Sequence, residues 1–419
     1  MRVYYGDQTK LPRHYVARQK LCLRATTDYW VNAKDGQPFL VINKPVDPGL
    51  LKVLEEDIVP RLEKERFHQP TTEELLANPH FHRFTIVFDR EGYSPEFFLK
   101  MKKRHIACLT YHKHPGKDWP ENEFKSFDVT LVAGNTVKMK LAEREIFLAV
   151  TVLVREIRKL SETGHQTSIL STDFASNKVE LASGMFARWS QENFFKYMSE
   201  HYNLDHLAGN KTSNVIDTTK VVNPEYQSIS GEIRKKTSLC NRTLAEFGSL
   251  NLINEIDPKK VAAYQEEKAK LQEEIDHHRV KIEKLKIERK AIASHIPFSA
   301  LPKEDQFKQL STQSKYFVDT IKMISYRSET AMVQVLREKM SRSDDARSLV
   351  RVIYNAEVDL IPNEKDGTLT IYLHHLANHS SDEAVQHLCE EITKTIFPGT
   401  NLKMVCKLGS EKNPGLQDV

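Results

Sequence analysis

Long apolar runs are missing from this chain, whose apolar stretches are about as long as single β-strands. A helix that crosses a bilayer needs about 20 apolar residues, so the sequence predicts no membrane span. No apolar signal region follows Met1. We therefore expect a soluble, cytoplasmic protein with no membrane partner.

Clustered cysteines and a strong charge of one sign are missing as well. The 5 cysteines are scattered along 419 residues without CxxC spacing. This pattern favours reduced thiols in a reducing compartment and contains no zinc-site signature. Since 61 basic residues stand against 57 acidic ones, net charge permits a polyanionic partner without requiring one.

The chain does contain alternating β and α patterns, which predict an α/β protein. An apolar run at 84–89 is followed by a helix start at Ser94 and Pro95, and then by the apolar segment 105–112. Strand, helix and strand within about 28 residues predict a βαβ unit with two parallel, neighbouring strands.

Two further segments predict antiparallel β-structure. Residues 29–46 predict a hairpin that turns at Asp35 and Gly36. Residues 124–171 are rich in β-branched side chains, which predicts several antiparallel strands added after the parallel pair.

The second half of the chain predicts mainly helices. The 3-4 apolar repeats of 224–248 and 259–293 predict an antiparallel coiled-coil hairpin. The end alternates strand, helix and strand, which predicts a small α+β part. We expect three regions, 1–210 with a β-rich insertion at about 112–171, then 211–300 and 301–419.

Asp89 is the first candidate site residue, because it ends an otherwise apolar strand. In open α/β sheets, ligands bind outside the carboxyl ends of the strands. The alternative is that Asp89 caps a turn or pairs with Arg90.

Glu192 is the second candidate. It belongs to a stripe with helical spacing, Leu181, Met185, Arg188, Glu192, Phe195 and Tyr202. We expect this helix to be buried on most sides, and a buried carboxylate costs several kcal/mol unless it is paired or bound to a cation. Arg188 would make a structural ion pair. A divalent metal shared with Asp89 is the functional alternative, since Mg²⁺ takes hard oxygen ligands.

Four segments, in order, resemble bacterial insertion-sequence transposases of the DDE type. They are "FDREGYSPEFF", "HIACLTYHKHPGKDWPENEF", "GHQTSILSTD" and "FARWSQENFF". The resemblance is clear from Met1 to about Leu207 and looser beyond. It implies a ribonuclease H-like catalytic domain over 1–210, a mixed sheet with helices in which two Asp residues on strands and a later Glu bind metal. Asp89 matches the second acid and Glu192 the third.

The resemblance also implies a chemistry and partners. Two Mg²⁺ or Mn²⁺ ions held by these acids would support cleavage and joining of DNA by in-line phosphoryl transfer, without a covalent protein intermediate. The implied partner is double-stranded DNA, both the terminal inverted repeats of the element and the target. A homodimer stays open, and the implied location is the bacterial nucleoid.

The sequence departs from the family pattern on the Glu helix. Arg188 and Glu192 have the expected spacing, but Met185 stands where a Tyr is expected and Ser199 where a Lys is expected. Lys196, one turn early, is a substitute for that Lys.

The first Asp of the triad has no convincing equivalent either. Asp7 follows a glycine in a polar segment, and Asp28 enters the predicted hairpin. We therefore expect an N-terminally truncated copy with impaired cleavage, because a two-metal site that lacks one ligand loses its clamp on one reacting oxygen.

Basic and aromatic side chains are candidates for DNA contacts. They are Arg188, Lys196, Lys102, Lys103, Arg104 and Trp119. The basic stretches 12–20, 99–105 and 155–159 could meet phosphates or could be solvated faces. Trp119 could stack on a flipped base or could pack in the interior.

Two alternatives to a transposase stay open. One is a ribonuclease H-like nuclease that cuts DNA without joining it. The other is a non-catalytic DNA-binding or coiled-coil interaction protein, with the hairpin at 224–293 as its functional element.

Overall fold

The structure is a computed structural model. It describes residues 2–5, 9–16, 19–64, 69–78, 80–131, 136–149, 151–186, 189–206, 209, 211–250, 261–340, 342, 345–376 and 381–409. The chain forms two compact units. Unit 1 comprises Met1–Asp28, Asn43–Gln69 and Asp205–Thr312, and unit 2 comprises Tyr29–Ile42, Pro70–Leu204 and Gln313–Val419. None of the helices within the described ranges is long and apolar enough to cross a membrane.

The first elements are four strands and a helical segment. They are β1 (Arg2–Val3), β2 (Arg13–Val16), β3 (Leu21–Asn32), β4 (Pro38–Lys44), α1 (Leu50–Val53) and α2 (Val59–Lys64), with a π-helical turn, Leu54–Ile58, between the helices. β3 pairs with β1, β2 and β4. Gly36 turns the β3–β4 hairpin with φ of 82°, which glycine adopts without steric cost. The predicted hairpin is confirmed, although β3 begins at Leu21 rather than at residue 29.

The βαβ unit is confirmed. Its elements follow α3 (Thr72–Ala77) and are β5 (Phe84–Val87), α4 (Pro95–Lys103) and β6 (Ile106–Tyr111). β5 and β6 are parallel. Ser94 begins α4 by accepting a hydrogen bond from the backbone N–H of Phe97 at 3.3 Å, as expected of an N-cap serine.

Four antiparallel strands extend this parallel pair into one sheet. They are β7 (Lys125–Thr130), β8 (Thr136–Leu148), β9 (Val152–Leu160) and β10 (Gln166–Ser171), and the order across the sheet is β5-β6-β10-β9-β8-β7. The prediction of antiparallel strands over 124–171 is confirmed. β5 and β7 are therefore the two edges of a mixed six-stranded sheet.

Helix α5 (Lys178–Phe186) covers one face of this sheet. Leu181 and Met185 of α5 share a buried core with Leu109, Ile157 and Ile169 of the strands. Full burial of such a side chain stabilises the fold by about 1.5–3 kcal/mol. This core therefore stabilises the sheet to which β5 belongs.

The middle of the chain contains a second helix and then a helical hairpin. The elements are α6 (Trp189–Tyr202), β11 (Thr212–Asn214), β12 (Lys220–Val222), α7 (Pro224–Ser249), α8 (Val261–Ala291), β13 (His295–Pro297) and β14 (Lys308–Leu310). α7 and α8 pack along an apolar seam that includes Ile233, Cys240 and Ile275. Asn223, before α7, donates to the carbonyl of Ala293, after α8, at 3.0 Å, so the two helices are antiparallel.

The last elements form an α+β part with its own core. They are α9 (Gln313–Arg337), α10 (Ala346–Tyr354), β15 (Val358–Asn363), β16 (Thr368–Leu373), α11 (Asp382–Thr393) and β17 (Lys403–Leu408). The sheet order is β15-β16-β17, antiparallel then parallel. The predicted strand, helix and strand are confirmed, and β15 was not predicted.

Candidate functional site

Asp89 follows β5 at the carboxyl end of the parallel pair. Its Oδ1 accepts a hydrogen bond from the backbone N–H of Arg90 at 2.7 Å, which caps a 3-10 turn. Its carbonyl oxygen accepts a hydrogen bond from Oγ1 of Thr110, beside it on β6, at 3.1 Å. The carboxylate is exposed, and Oδ2 has no hydrogen-bond partner in the described part of the chain. Capping therefore occupies one oxygen of Asp89 and leaves the other available.

The turn after Asp89 fits tightly over the phenylalanine before it. Phe88 is buried and packs edge-on against Phe97 of α4 with ring centroids 5.8 Å apart. A Cβ on Gly92 would lie 2.3 Å from Cδ2 of Phe88. Glycine is therefore the residue that lets this turn close, and the turn sets the direction in which Asp89 leaves the sheet.

The same turn also contacts the residues that follow β6. The ring of Tyr93 stacks on His112 with centroids 5.8 Å apart and meets His114 edge-on at 6.2 Å. The guanidinium of Arg90 lies 5.9 Å from the ring centroid of Tyr111. Residues 89–93 and 110–118 thus form one surface, which we call the β5–β6 edge.

A buried carboxylate, Glu156 of β9, contacts the β5–β6 edge through His112. It is 3% exposed and accepts hydrogen bonds from Nε of Arg158 at 2.8 Å and from Oγ of Ser168 at 2.7 Å. Nδ1 of His112 lies 3.4 Å away. Burial raises the pKa of Glu156, but the His112, Ser168 and Arg158 contacts outweigh it and hold the pKa below its usual value. The buried charge is therefore paired, as its desolvation requires.

Arg158 and Gln166 fix the loop after β6. Arg158 donates to the carbonyl of Lys117 at 2.9 Å and to the carbonyl of Pro115. Gln166 accepts from the N–H of Trp119 at 2.9 Å and donates to its carbonyl at 2.7 Å. We call residues 113–118 the basic loop. Its lysines lie within the motif "HKHPGKDW" and are not among the predicted DNA contacts.

The side chain of Trp119 lies between two guanidinium groups. Arg144 and Arg158 lie 4.4 and 4.3 Å from its ring, and the side chain is only 7% exposed. This arrangement favours the packing alternative for Trp119, while a contact with a flipped base stays a prediction.

The basic stretch 155–159 differs from both expectations. Arg155 bonds Glu143 at 2.6 Å and the carbonyl of Asp173 at 2.8 Å. Arg155 and Arg158 are both buried. The expectation that their side chains meet phosphates or form a solvated face was wrong, because internal carboxylates and carbonyls satisfy these guanidinium groups.

The helix that carries Glu192 was expected to be buried on most sides, but several of its described side chains are exposed. Phe194 and Met198 are buried, whereas Phe195 is 43% exposed and Lys196 is exposed. The burial expected for Phe195 was therefore wrong, because the ring of the adjacent Phe194 packs in the core instead, whereas Leu181 and Met185 of the predicted stripe are buried. The side chain of Glu192 and the whole of Arg188 lie outside the described residues, so the meeting of the two acids stays a prediction.

Helix α6 is held by a second buried carboxylate, Glu329 of α9. Glu329 is 1% exposed and accepts hydrogen bonds from the hydroxyls of Tyr202, at 2.5 Å, and Tyr197. Arg347 of α10 donates to it at 3.0 Å. Burial, together with the Glu329 carboxylate, raises the pKa of Tyr197 to about 12. Three helices are thereby joined at one charged group.

Three predicted DNA contacts on α4 lie away from Asp89. Lys102, Lys103 and Arg104 lie at the end of α4, where the chain enters the amino end of β6. They thus lie at the amino ends of the parallel strands, whereas Asp89 lies at the carboxyl ends. Asp28 lies within β3 and accepts a hydrogen bond from Nδ2 of Asn43 at 2.5 Å. Asp7 lies outside the described residues.

The chemistry of Asp89 fits a hard cation. A carboxylate with one available oxygen is a ligand that Mg²⁺ accepts. Within the described ranges, no three His, Cys, Asp or Glu side chains cluster as metal ligands. Glu192 would have to supply the next carboxylate.

Comparison with known protein families identifies a match. A family model described as "Transposase protein" matches residues 1–410 of the chain. No match was found among curated proteins.

Proposed function

The chain belongs to the transposase protein family, and we propose that it is a transposase of the DDE type with a ribonuclease H-like catalytic domain. It would cleave and join DNA at the ends of an insertion sequence. The observation that carries this proposal is the position of Asp89, an exposed acid at the carboxyl end of a parallel strand within a βαβ unit. Ligands bind at this place in α/β sheets.

Asp89 and Glu192 are the proposed catalytic residues and metal ligands. Mg²⁺ or Mn²⁺, when bound there, would neutralise charge on the phosphoryl group and lower the pKa of a water nucleophile. The backbone N–H of Arg90 and the hydroxyl of Thr110 orient Asp89 through the hydrogen bonds described above. Glu192 would supply its carboxylate from α6.

The proposed partner is double-stranded DNA, as the ends of the element and as target. Phosphate contacts would come from exposed lysines such as Lys196 on α6 and Lys102 and Lys103 on α4. Each such contact releases counterions, so binding weakens as salt rises. Contacts by Arg104, Arg188 and Trp119 belong to the same proposal.

The test pairs a metal-binding measurement with a DNA reaction. We expect Asp89→Asn and Glu192→Gln each to abolish Mn²⁺ binding measured by titration calorimetry. Each should also lower cleavage of end-labelled element DNA by more than about 100-fold, because even outer-shell partners of a metal are worth about 10- to 100-fold.

The matched control is Asp128→Asn. This residue is exposed on β7, the far edge of the same sheet, and the substitution makes the same change of charge. An unchanged Mn²⁺ affinity in the Asp89→Asn variant would contradict the proposal. Cleavage without any joined product in a strand-transfer assay would replace the transposase by a nuclease.

A further inference from the structure

The basic loop presents two lysines to solvent. Lys113, His114 and Lys117 are all exposed. Neither lysine has an ion-pair partner in the described part of the chain, and Asp118 is the one acid among residues 113–118. Lysines without partners on an exposed loop are able to bind an anion without first breaking an internal salt bridge.

The loop backbone is held in place before any ligand binds. The carbonyls of Pro115 and Lys117 accept hydrogen bonds from Arg158, and Trp119 is bonded through both its N–H and its carbonyl to Gln166. Both Arg158 and Gln166 are buried. Ordering a loop costs free energy when a partner binds, so a loop that is already ordered binds more tightly.

The loop also lies on the same edge of the sheet as Asp89. His114 contacts the ring of Tyr93, which follows Asp89 by four residues. Thr110, a few residues before the loop, bonds the carbonyl of Asp89. An anion held by the loop would therefore lie at the edge where Asp89 ends its strand.

We propose that the basic loop 113–118 is a DNA-binding surface in which Lys113 and Lys117 contact backbone phosphates and bring the duplex to the Asp89 edge of the sheet. Arg158 is a positioning residue that acts through the loop backbone. The location of this surface rests on the proposed function, because that function requires DNA beside Asp89. Its partner is the phosphodiester backbone, so the contact carries no base specificity.

The first experiment measures the affinity of the full chain for a short DNA duplex in EDTA over a range of salt concentrations. Each phosphate contact contributes about 0.9 to the slope of log K against log salt concentration. We expect Lys113→Ala with Lys117→Ala to reduce the steepness of this slope by about 1.8, the sum for two contacts. An unchanged slope would overturn the proposal.

The matched control is Lys125→Ala with Lys138→Ala. These lysines are exposed on β7 and β8, at the far edge of the same sheet, and the change in net charge is identical. We expect their slope to stay at the wild-type value. An equal reduction in both double variants would show a general charge effect and would also overturn the proposal.

The positioning role of Arg158 has its own readout. In Arg158→Lys a positive charge stays beside Glu156, but the guanidinium contacts to the two carbonyls are lost. We expect faster amide hydrogen exchange in residues 113–119 and weaker DNA binding, with an unchanged salt slope because both loop lysines stay. Unchanged exchange in the loop would remove Arg158 from the proposal.

These measurements are independent of the metal site. DNA binding in EDTA does not depend on a bound metal, so it tests the basic loop separately from the proposed metal chemistry. Retained cleavage by Asp89→Asn together with lost binding by the loop variant would refute the proposed chemistry and support the DNA surface. Lost cleavage by Asp89→Asn together with unchanged DNA binding by the loop variant would refute the DNA surface alone.

Discussion

Unit 2 contains two buried carboxylates, Glu156 and Glu329, whose negative charges are stabilised by donors from different parts of the fold. Both are almost fully buried, at 3% and 1% exposure, and both are paired with an arginine and hydroxyl donors. The partners of Glu156 lie within one sheet and its adjacent loop. The partners of Glu329 come from two other helices. The first network is therefore local, and the second joins distant parts of the chain.

The comparison shows how a buried acid differs from a candidate catalytic acid. Glu156 and Glu329 each accept several hydrogen bonds from protein donors, which leaves little capacity for a ligand. Asp89 is exposed, with one oxygen used in a cap. Each buried network instead supports an element that carries a candidate acid, the β5–β6 edge for Asp89 and helix α6 for Glu192.

The largest loss of stability is expected when the Glu156 network loses the guanidinium group of Arg158. Arg158→Met leaves Glu156 buried without its guanidinium partner, and breaking a buried pair in this way costs about 3–5 kcal/mol. Urea unfolding measures the loss of free energy of unfolding. The double variant Glu156→Leu with Arg158→Met removes both charges, so we expect it to regain much of this loss. A double variant no more stable than Arg158→Met would show that the network contributes more than charge pairing.

A smaller effect is expected in the network that joins the helices. Tyr202→Phe removes one hydrogen bond to the charged Glu329, worth about 1.5–3 kcal/mol. Tyr15→Phe is the matched control, because Tyr15 of β2 is 57% exposed and surface changes usually stay within about 0.5 kcal/mol. Equal losses in urea unfolding for the two variants would contradict the role of Glu329 as the joining group.

Local patterns predicted the elements around the site well. The cap at Ser94, the parallel strands and the antiparallel run after them depend on neighbouring residues, and all are present. The side of α6 that is buried could not be predicted, because Phe194 and Phe195 are adjacent and equally apolar. Only the packing of Phe194 against Tyr326, with centroids 5.0 Å apart, decides between them.

The buried networks were missed for a related reason. A strand such as β9, with sequence VLVREIRKL, carries charged residues on both faces, which is typical of an exposed strand. Arg155, Glu156 and Arg158 are nevertheless buried, because Glu143, Glu156 and backbone carbonyls from remote segments satisfy the two arginines. Hydrophobic periodicity describes only the residues of one element, so it cannot predict partners that are distant in sequence.

A further loss of stability is expected when the turn after Asp89 is altered. Gly92→Ala would place a Cβ against the ring of Phe88, and such overpacking costs about 1–3 kcal/mol. The control is Gly231→Ala in the middle of α7, where a Cβ meets nothing within 4 Å. Alanine should stabilise that helix by about 0.5–1 kcal/mol. Thermal unfolding that moves both variants in the same direction would contradict this account of the turn.

The smallest expected effect is the change in the free energy of unfolding with pH that arises from Glu156. The pKa of Glu156 is lowered in the folded protein, so its ionised form adds stability above its unfolded pKa of about 4.3. That contribution is lost as pH falls through the folded pKa. Glu156→Gln cannot titrate, so we expect it to be less stable than wild type at pH 7 and to approach wild type as the medium is acidified. Unfolding free energies measured at a series of pH values below neutrality provide the check. A stability difference that stays constant down to the acid transition would mean that Glu156 supports the loop by its hydrogen-bond geometry and not by its charge.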